Sequence, residues 1–251
     1  MLPERLLGSM DSDPVFVSSG KHPRLLVVAD HAGQSIPHSL GKLGLPDAAL
    51  KSHITYDIGA FDLAATIAQS FDARLVMSCY SRLVIDANRY PHDPASMPVV
   101  SDGTDIPGNV DICPAERHRR TQEIFRPYHD RIAAELDALG DDAVLLSVHT
   151  MTKKPSLGTV RAEEIAISWC DDVPSAAAAL AVLRNVAGLT VGDNTPYALD
   201  HGEDFTTPEH AVRCGLRHIQ VEFRQDLVAE RNGAEAWAER FAPALEAALN
   251  L

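Results

Sequence analysis

The chain of 251 residues lacks most of the short motifs by which an activity is usually read. No G-x-x-x-x-G-K-[S/T] loop and no G-x-G-x-x-G follows any apolar run, so neither common phosphate cradle is present. No G-x-S-x-G elbow occurs, which disfavours a serine hydrolase. The four cysteines (Cys79, Cys113, Cys170, Cys214) lie far apart without C-x-x-C spacing, excluding the usual zinc-ribbon pattern and a redox pair. Positive charge is also scarce. Lys and Arg number 22 against 35 Asp and Glu, a formal net charge of −13. A nucleic-acid footprint or an anionic-membrane patch needs a basic face, so neither partner is expected. There is no apolar run of about 18 residues and no apolar signal-peptide region at the start, so the expectation is a soluble, cytoplasmic chain.

What is present is enough apolar sequence, 45%, for a sizeable core, and a single domain over 1–251 is expected. Six short, β-branched, mostly non-alternating runs read as buried strands: 24–30, 73–79, 82–87, 143–150, 164–169 and 218–223. Helical stretches separate them at 58–71, 114–139, 175–188 and 225–249. Pro127 should kink the second, and Asn232-Gly233 should interrupt the last. Strands alternating with helices predict an α/β fold with a largely parallel sheet. The Pro-, Gly- and Asp-rich segment 90–113 reads as a long loop of the kind that forms a lid or is locally mobile.

Ligands of open α/β sheets bind at the carboxyl ends of the strands, and polar residues collect there repeatedly. The first strand ends in Asp30-His31, the fourth runs into His149 as "LLSVHT", and the sixth carries Glu222 in "VEFRQD". Asp57 stands at a helix start in "YDIGA". Two histidines and a carboxylate make a three-ligand zinc site, whose open position binds water and lowers its pKa to about 7. A further carboxylate must move that water's proton, and Glu222 suits the role. Each residue also has a plainer reading. His31 caps the next helix, Asp57 is an N-cap for 58–71, and Glu222 pairs with Arg224 or Arg82.

The cluster "SRLVIDANRYP" adds Arg82, Asp86, Asn88 and Arg89. An arginine is a planar fork that grips carboxylates bidentately. Asn88 and Arg89 are candidates to hold a substrate carboxylate with Asp86 orienting the guanidinium, and Arg82 to stabilise an oxyanion. The plainer alternative is a pair of surface arginines in an acidic protein.

The strings "DHAGQSIP", "YDIGA", "SRLVIDANRYP", "PYH", "SVHTM", "DNTPYALDHGEDFTTPEHA" and "VEFRQDL", in order from about residue 24 to about 230, resemble the N-formylglutamate amidohydrolase family. That family is similar in plan to zinc carboxypeptidases and aspartoacylases. The resemblance implies a three-layer α/β/α sandwich with a mixed, mostly parallel sheet and bound zinc or another divalent metal. It also implies that His31 and His149 are the first and last ligands, that Arg82, Asp86, Asn88 and Arg89 handle the oxyanion and the substrate carboxylate, and that Glu222 is the general base and acid. Carboxypeptidases and aspartoacylases place a glutamate three residues after the first histidine. Here that position is Gln34, so the middle ligand is Asp57, with Asp30 the alternative. Tyr197, His201 and His210 lie in a second polar loop that could close over substrate, His201 being the best placed, while His129 reads as structural.

The combined expectation is a metal-dependent amidohydrolase acting on a small anionic N-acyl amino acid, with N-formyl-L-glutamate leading and formate and glutamate as products, as in histidine degradation. Alternatives are another N-acyl amino acid, a carboxypeptidase-like substrate, or a non-catalytic carboxylate-binding relative.

Overall fold

The computed structural model describes residues 5–250. Its centre is a seven-stranded mixed sheet in the order β1-β3-β2-β6-β9-β7-β8. The strands are β1 (Val15–Ser18), β2 (Leu25–Ala29), β3 (Arg74–Ser78), β6 (Val144–Met151), β7 (Ile165–Ser168), β8 (Val191–Asp193) and β9 (Arg217–Arg224). A separate hairpin pairs β4 (Val100–Ser101) with β5 (Thr104–Asp105). Strands β3, β2, β6 and β9 run parallel, whereas β1 and β7 oppose their neighbours and β8 follows β7. The helices are α1 (Asp47–Leu50), α2 (Ala60–Ser70), α3 (Pro114–Arg120), α4 (Arg126–Leu139), α5 (Val173–Arg184), α6 (Gln225–Val228) and α7 (Arg231–Leu249). None is long and apolar enough to cross a membrane.

Alternation along the strands creates the layers. Leu25, Val27 and Ala29 of β2 join a cluster with α2, α5 and α7, while Leu26 and Val28 pack with Tyr128, Ile132 and Leu136 of α4. The fold is therefore the expected α/β/α sandwich. In β6 all eight residues are buried, as suits a strand covered on both faces. Its last turns carry Ser147, His149 and Thr150 into that burial, so each needs a partner.

The structure corrects several elements. Residues 82–87 form no strand. Leu83, Val84 and Ile85 are buried, but in a loop-centred cluster beside Phe125 and Ile106. Side chains, not a sheet, hold this segment: the Asn109 amide donates to the Leu83 carbonyl (2.8 Å) and Arg120 to the Val84 carbonyl (3.1 Å). The 114–139 stretch continues through Pro127 because the turn at 121–125 widens to π geometry, which absorbs the hydrogen bond that proline cannot donate. The last helical stretch breaks at 229–230, and Asn232-Gly233 fall within the first turn of α7. Strands β1 and β8 were not foreseen. Segment 90–113 is built from two short 3-10 turns and the β4–β5 hairpin, with Ile106 fully buried.

Two glycines set the approach of the site's loops. A Cβ on Gly33 would lie 2.0 Å from the Cys79 carbonyl carbon, where the loop after β2 crosses the end of β3. Gly59 sits at φ +85° before α2, and its Cβ would lie 2.2 Å from the Val228 carbonyl oxygen. Gly59→Ala therefore adds a clash to a strained backbone and should cost more than the roughly 1–3 kcal/mol of strain alone. Gly188→Ala, at φ +77° with nothing within 4 Å, should stay within that range. Urea unfolding of the two variants checks this, and equal losses would refute the close-approach argument.

Candidate metal centre

His31 leaves the end of β2, His149 lies on the neighbouring β6, and Asp57 precedes α2. The Asp57 amide donates to the His31 carbonyl at 2.9 Å, tying the two loops together. Asp57 does not cap the helix, since its Oδ2 accepts from the Thr150 amide (3.1 Å) and points to both imidazoles. It lies 3.5 Å from His31 Nδ1 and 3.2 Å from His149 Nδ1. Each ring is held from behind through its other nitrogen. Asp86 Oδ1 takes His31 Nε2 at 2.7 Å, and Asp30 Oδ2 takes His149 Nε2 at 3.1 Å. Asp30 is itself fixed by the Tyr128 hydroxyl (2.8 Å) and the Thr206 hydroxyl (2.7 Å). Asp30 thus supports a histidine, and Asp57 is the carboxylate of the triad.

This arrangement fits a metal on two counts. Carboxylates bonded to the far ring nitrogens fix the tautomer that presents Nδ1 as a lone pair, as metal-ligating histidines require. His31 Nδ1 is buried with no hydrogen-bond partner, a costly arrangement unless something else binds it. Charge points the same way. Of the three buried aspartates, Asp57 and Asp86 pair with the one guanidinium, Arg82, and Asp30 does not, an excess of negative charge that suits a dication. Burial alone would raise the Asp30 carboxyl, but the His149 and His31 rings and Thr206 hold it down at about 2. Burial works against charging His31 and His149, yet the surrounding aspartates raise both, His149 well above its ordinary value.

The triad opens into a cavity of about 320 Å³ lined by polar side chains, among them Arg82, Asn88, Arg89, Tyr197, Gln220 and Glu222. Glu222 lies directly across from His149 in the β6–β9 register. It is only 6% exposed, and no ion pair engages it among the described residues; Arg224 turns away to Asp226. Burial pushes its carboxyl up to about 7, with the charge of His149 opposing. Arg82 is oriented by Asp86 Oδ2 through Nε (3.1 Å) and Nη2 (2.8 Å), and its Nη1 reaches Asp57 Oδ1 at 3.4 Å. Its guanidinium keeps 31% exposure, toward the cavity it lines.

Three expectations change. Asp86 serves Arg82 and His31, not Arg89, and stands behind the cavity wall. The amide of Asn88 is engaged by the protein: it donates to Asp204 (3.0 Å) and accepts from the amides of Phe205 and Thr206. His201 lies outside the cavity lining and pairs with Asp171 at the surface. Gln34 is exposed and contributes nothing to the triad. Arg89 keeps only long contacts, 3.4 Å to Glu203 and 3.7 Å to Asp204. His129 donates through Nε2 to the Ala87 carbonyl (2.8 Å) and meets His210 at 2.9 Å, a structural pair. Residues not foreseen include His53, Thr150, Asp204, Gln220 and Gln225 in the lining, and Tyr128 and Thr206 behind it.

A model of the N-formylglutamate amidohydrolase family matches residues 23–229. Among solved structures, a gene product of Agrobacterium tumefaciens is 37% identical, with a TM-score of 0.88 over 96% of this chain and 98% of that one. An N-formylglutamate amidohydrolase from Ralstonia eutropha superposes with a TM-score of 0.65 at 18% identity, covering 94% of this chain and 97% of that one. No curated protein gives a significant match.

The surrounding aspartates raise the pKa of both imidazoles, so protons compete with a cation for their Nδ1 atoms. Affinity should therefore rise with pH, and uptake should release protons. Calorimetry of zinc binding in buffers of different protonation enthalpy measures this directly. Uptake without proton release would contradict the paired carboxylate–histidine arrangement.

Proposed function

The chain belongs to the N-formylglutamate amidohydrolase family, and on that premise we propose that it is a metal-dependent hydrolase of small anionic N-acyl amino acids, with N-formyl-L-glutamate as the leading substrate. The observation that carries the proposal is the convergence of two backed histidines and Asp57 beside an unpaired, buried Glu222. The nitrogen and carboxylate donors suit zinc. Held by His31, Asp57 and His149, a divalent metal would supply Lewis acidity to a carbonyl and acidify water.

The protein's own groups account for the remaining steps. Glu222, with its carboxyl raised to about 7, is matched to accept a proton from water near neutral pH and return it to the leaving amine. Arg82, locked by Asp86 and Asp57, offers a fixed positive charge to the oxygen that becomes negative as the amide carbon turns tetrahedral. Arg89 lies at the cavity edge, where its loose contacts with Glu203 and Asp204 leave it able to take a substrate carboxylate. Tyr197, held by Arg161 through its hydroxyl at 2.5 Å, forms part of the facing wall.

A zinc-loaded preparation should release formate from N-formyl-L-glutamate. Glu222→Gln should lower kcat by about 10²–10⁴ while metal content stays at the wild-type level. Arg89→Met should raise KM for acidic N-acyl amino acids with a smaller effect on kcat, since it removes binding and not chemistry. If the metal-loaded wild type hydrolyses no member of a panel of N-acyl amino acids, the carboxylate-binding alternative replaces this reading.

A further inference from the structure

A second group of ligating side chains lies outside the cavity. Strand β7 ends at Ser168, and the chain then presents Cys170 and Asp171 before α5. One ligand atom each from Cys170, Asp171 and His201 lies within 4.8 Å of the others. The His201 ring meets Asp171 Oδ2 at 2.7 Å across 30 residues of chain. The adjacent Asp172 is occupied: it accepts from the Ser175 amide at the start of α5 (3.1 Å) and from the His218 amide (2.9 Å). Asp171 has no such duty.

An independent observation comes from β9. His218 is 2% exposed, and its Nδ1 donates to the Leu216 carbonyl at 3.1 Å. That bond places a proton on Nδ1, so Nε2 is left as an acceptor, and it meets Cys170 Sγ at 4.0 Å. Cys170 thus stands between a buried, preoriented imidazole and the Asp171–His201 pair. Thiolate, imidazole and carboxylate are the donors of tetrahedral zinc sites.

We propose that Cys170, Asp171 and His201, with His218 behind Cys170, bind a second divalent cation of zinc type, distinct from the His31–Asp57–His149 centre. The segment from 195 to 204 carries Tyr197, Glu203 and Asp204 into the cavity wall and carries His201 on its outer side. On the inner side it is already tied by the Ser168 hydroxyl to the Tyr197 carbonyl (2.8 Å) and by Asn88 to Asp204. A cation at Cys170 would fasten its outer side to the end of β7, fixing the wall from a point that touches no substrate. Binding requires the Cys170 thiol to lose its proton to solvent and His201 to separate slightly from Asp171. The second is a surface event, since the His201 and Asp171 side chains are each 56% exposed; the first takes place at a half-buried thiol, pushed up to about 12 by burial and Asp171, so the cation itself must displace the proton.

Cobalt(II) tests this without reference to activity, because only one of the two centres contains sulfur. The wild type should bind about two cobalt ions per chain, with a near-ultraviolet thiolate-to-cobalt band saturating after about one equivalent. Cys170→Ser should lose the band and one ion. His201→Ala, at an exposed position where folding is not at risk, should weaken that ion's binding at least tenfold. His149→Ala should lose the other ion and keep the band. Zinc should also slow hydrogen exchange across 195–203 in the wild type and not in His201→Ala. A wild type that binds a single ion with no sulfur band, or a band that survives Cys170→Ser, overturns the second site and leaves the hydrolase reading intact. Loss of hydrolysis with the band retained would do the reverse.

Discussion

Each of the two histidines at the centre of this fold is gripped by an aspartate through Nε2, and the rest of the site follows from that pairing. Neither imidazole could be left in the sheet's interior without a partner, because a buried polar group with no hydrogen bond costs on the order of 1–3 kcal/mol. Asp86 and Asp30 satisfy the far nitrogens and in doing so aim both Nδ1 atoms at Asp57. The aspartates then need counter-charge, which Arg82 supplies on one side, and hydroxyl donors, which Tyr128 and Thr206 supply on the other. Three buried carboxylates with a single guanidinium, which pairs with two of them, make a pocket that is electrostatically incomplete until protons or a cation enter it. A cation entering there would compete with protons for the same two nitrogens, so its binding would depend on pH.

The backbone arrangement that permits this is spread over distant stretches of chain. The loop after β2 passes over β3 only because position 33 is glycine, and Asp57 reaches His31 only because Gly59 lets the chain pass close to α6. The buried Glu222 comes from a third strand: β9 pairs with β6 in the register that sets it beside His149. A slip of one residue would turn Glu222 to the opposite face of the sheet. The register is protected by the apolar residues on both sides, Val221 and Phe223, which are fully buried in the layer with α5 and α7. The packing of the core and the position of Glu222 are therefore one constraint.

The sequence pattern revealed those parts of the molecule whose cause is local. The β6 run, the polar residue at each strand end and the helix following Asp57 all follow from short-range periodicity and capping chemistry, and the α/β/α sandwich follows from their alternation. What the pattern missed is non-local. Residues 82–87 carry the apolar composition of a strand, but their burial is against loops, and a run of Leu-Val-Ile cannot tell one from the other. Strands β1 and β8 lie at the sheet edges and are only half-buried, so they lack the continuous apolar signal of the centre. The partner of Asp30 is a tyrosine 98 residues away, and nothing around Tyr128 signals it. Sequence proximity alone pairs Asp86 with Arg89. In space the i,i+4 turn brings Arg82 onto it, and Arg89 swings to the 203–204 loop.

That division has a consequence for what the cavity selects. The triad and Glu222 are carried by β2, β6, β9 and the turn before α2, all embedded in the two apolar layers. The groups that would meet the distal part of a substrate, Arg89, Tyr197, Glu203 and Asp204, sit on loops joined to each other through Asn88 and to the sheet through Ser168. Changes in those loops alter the charge and reach of the rim without moving a ligand of the triad, because no hydrogen bond of Asp57, His31 or His149 runs to residues 195–204. Asp30 is the one link, through the Thr206 hydroxyl just beyond that segment. At that rim the exposed Glu203 carboxylate meets Arg89 at 3.4 Å, so under the proposed function a substrate carboxylate would have to displace it.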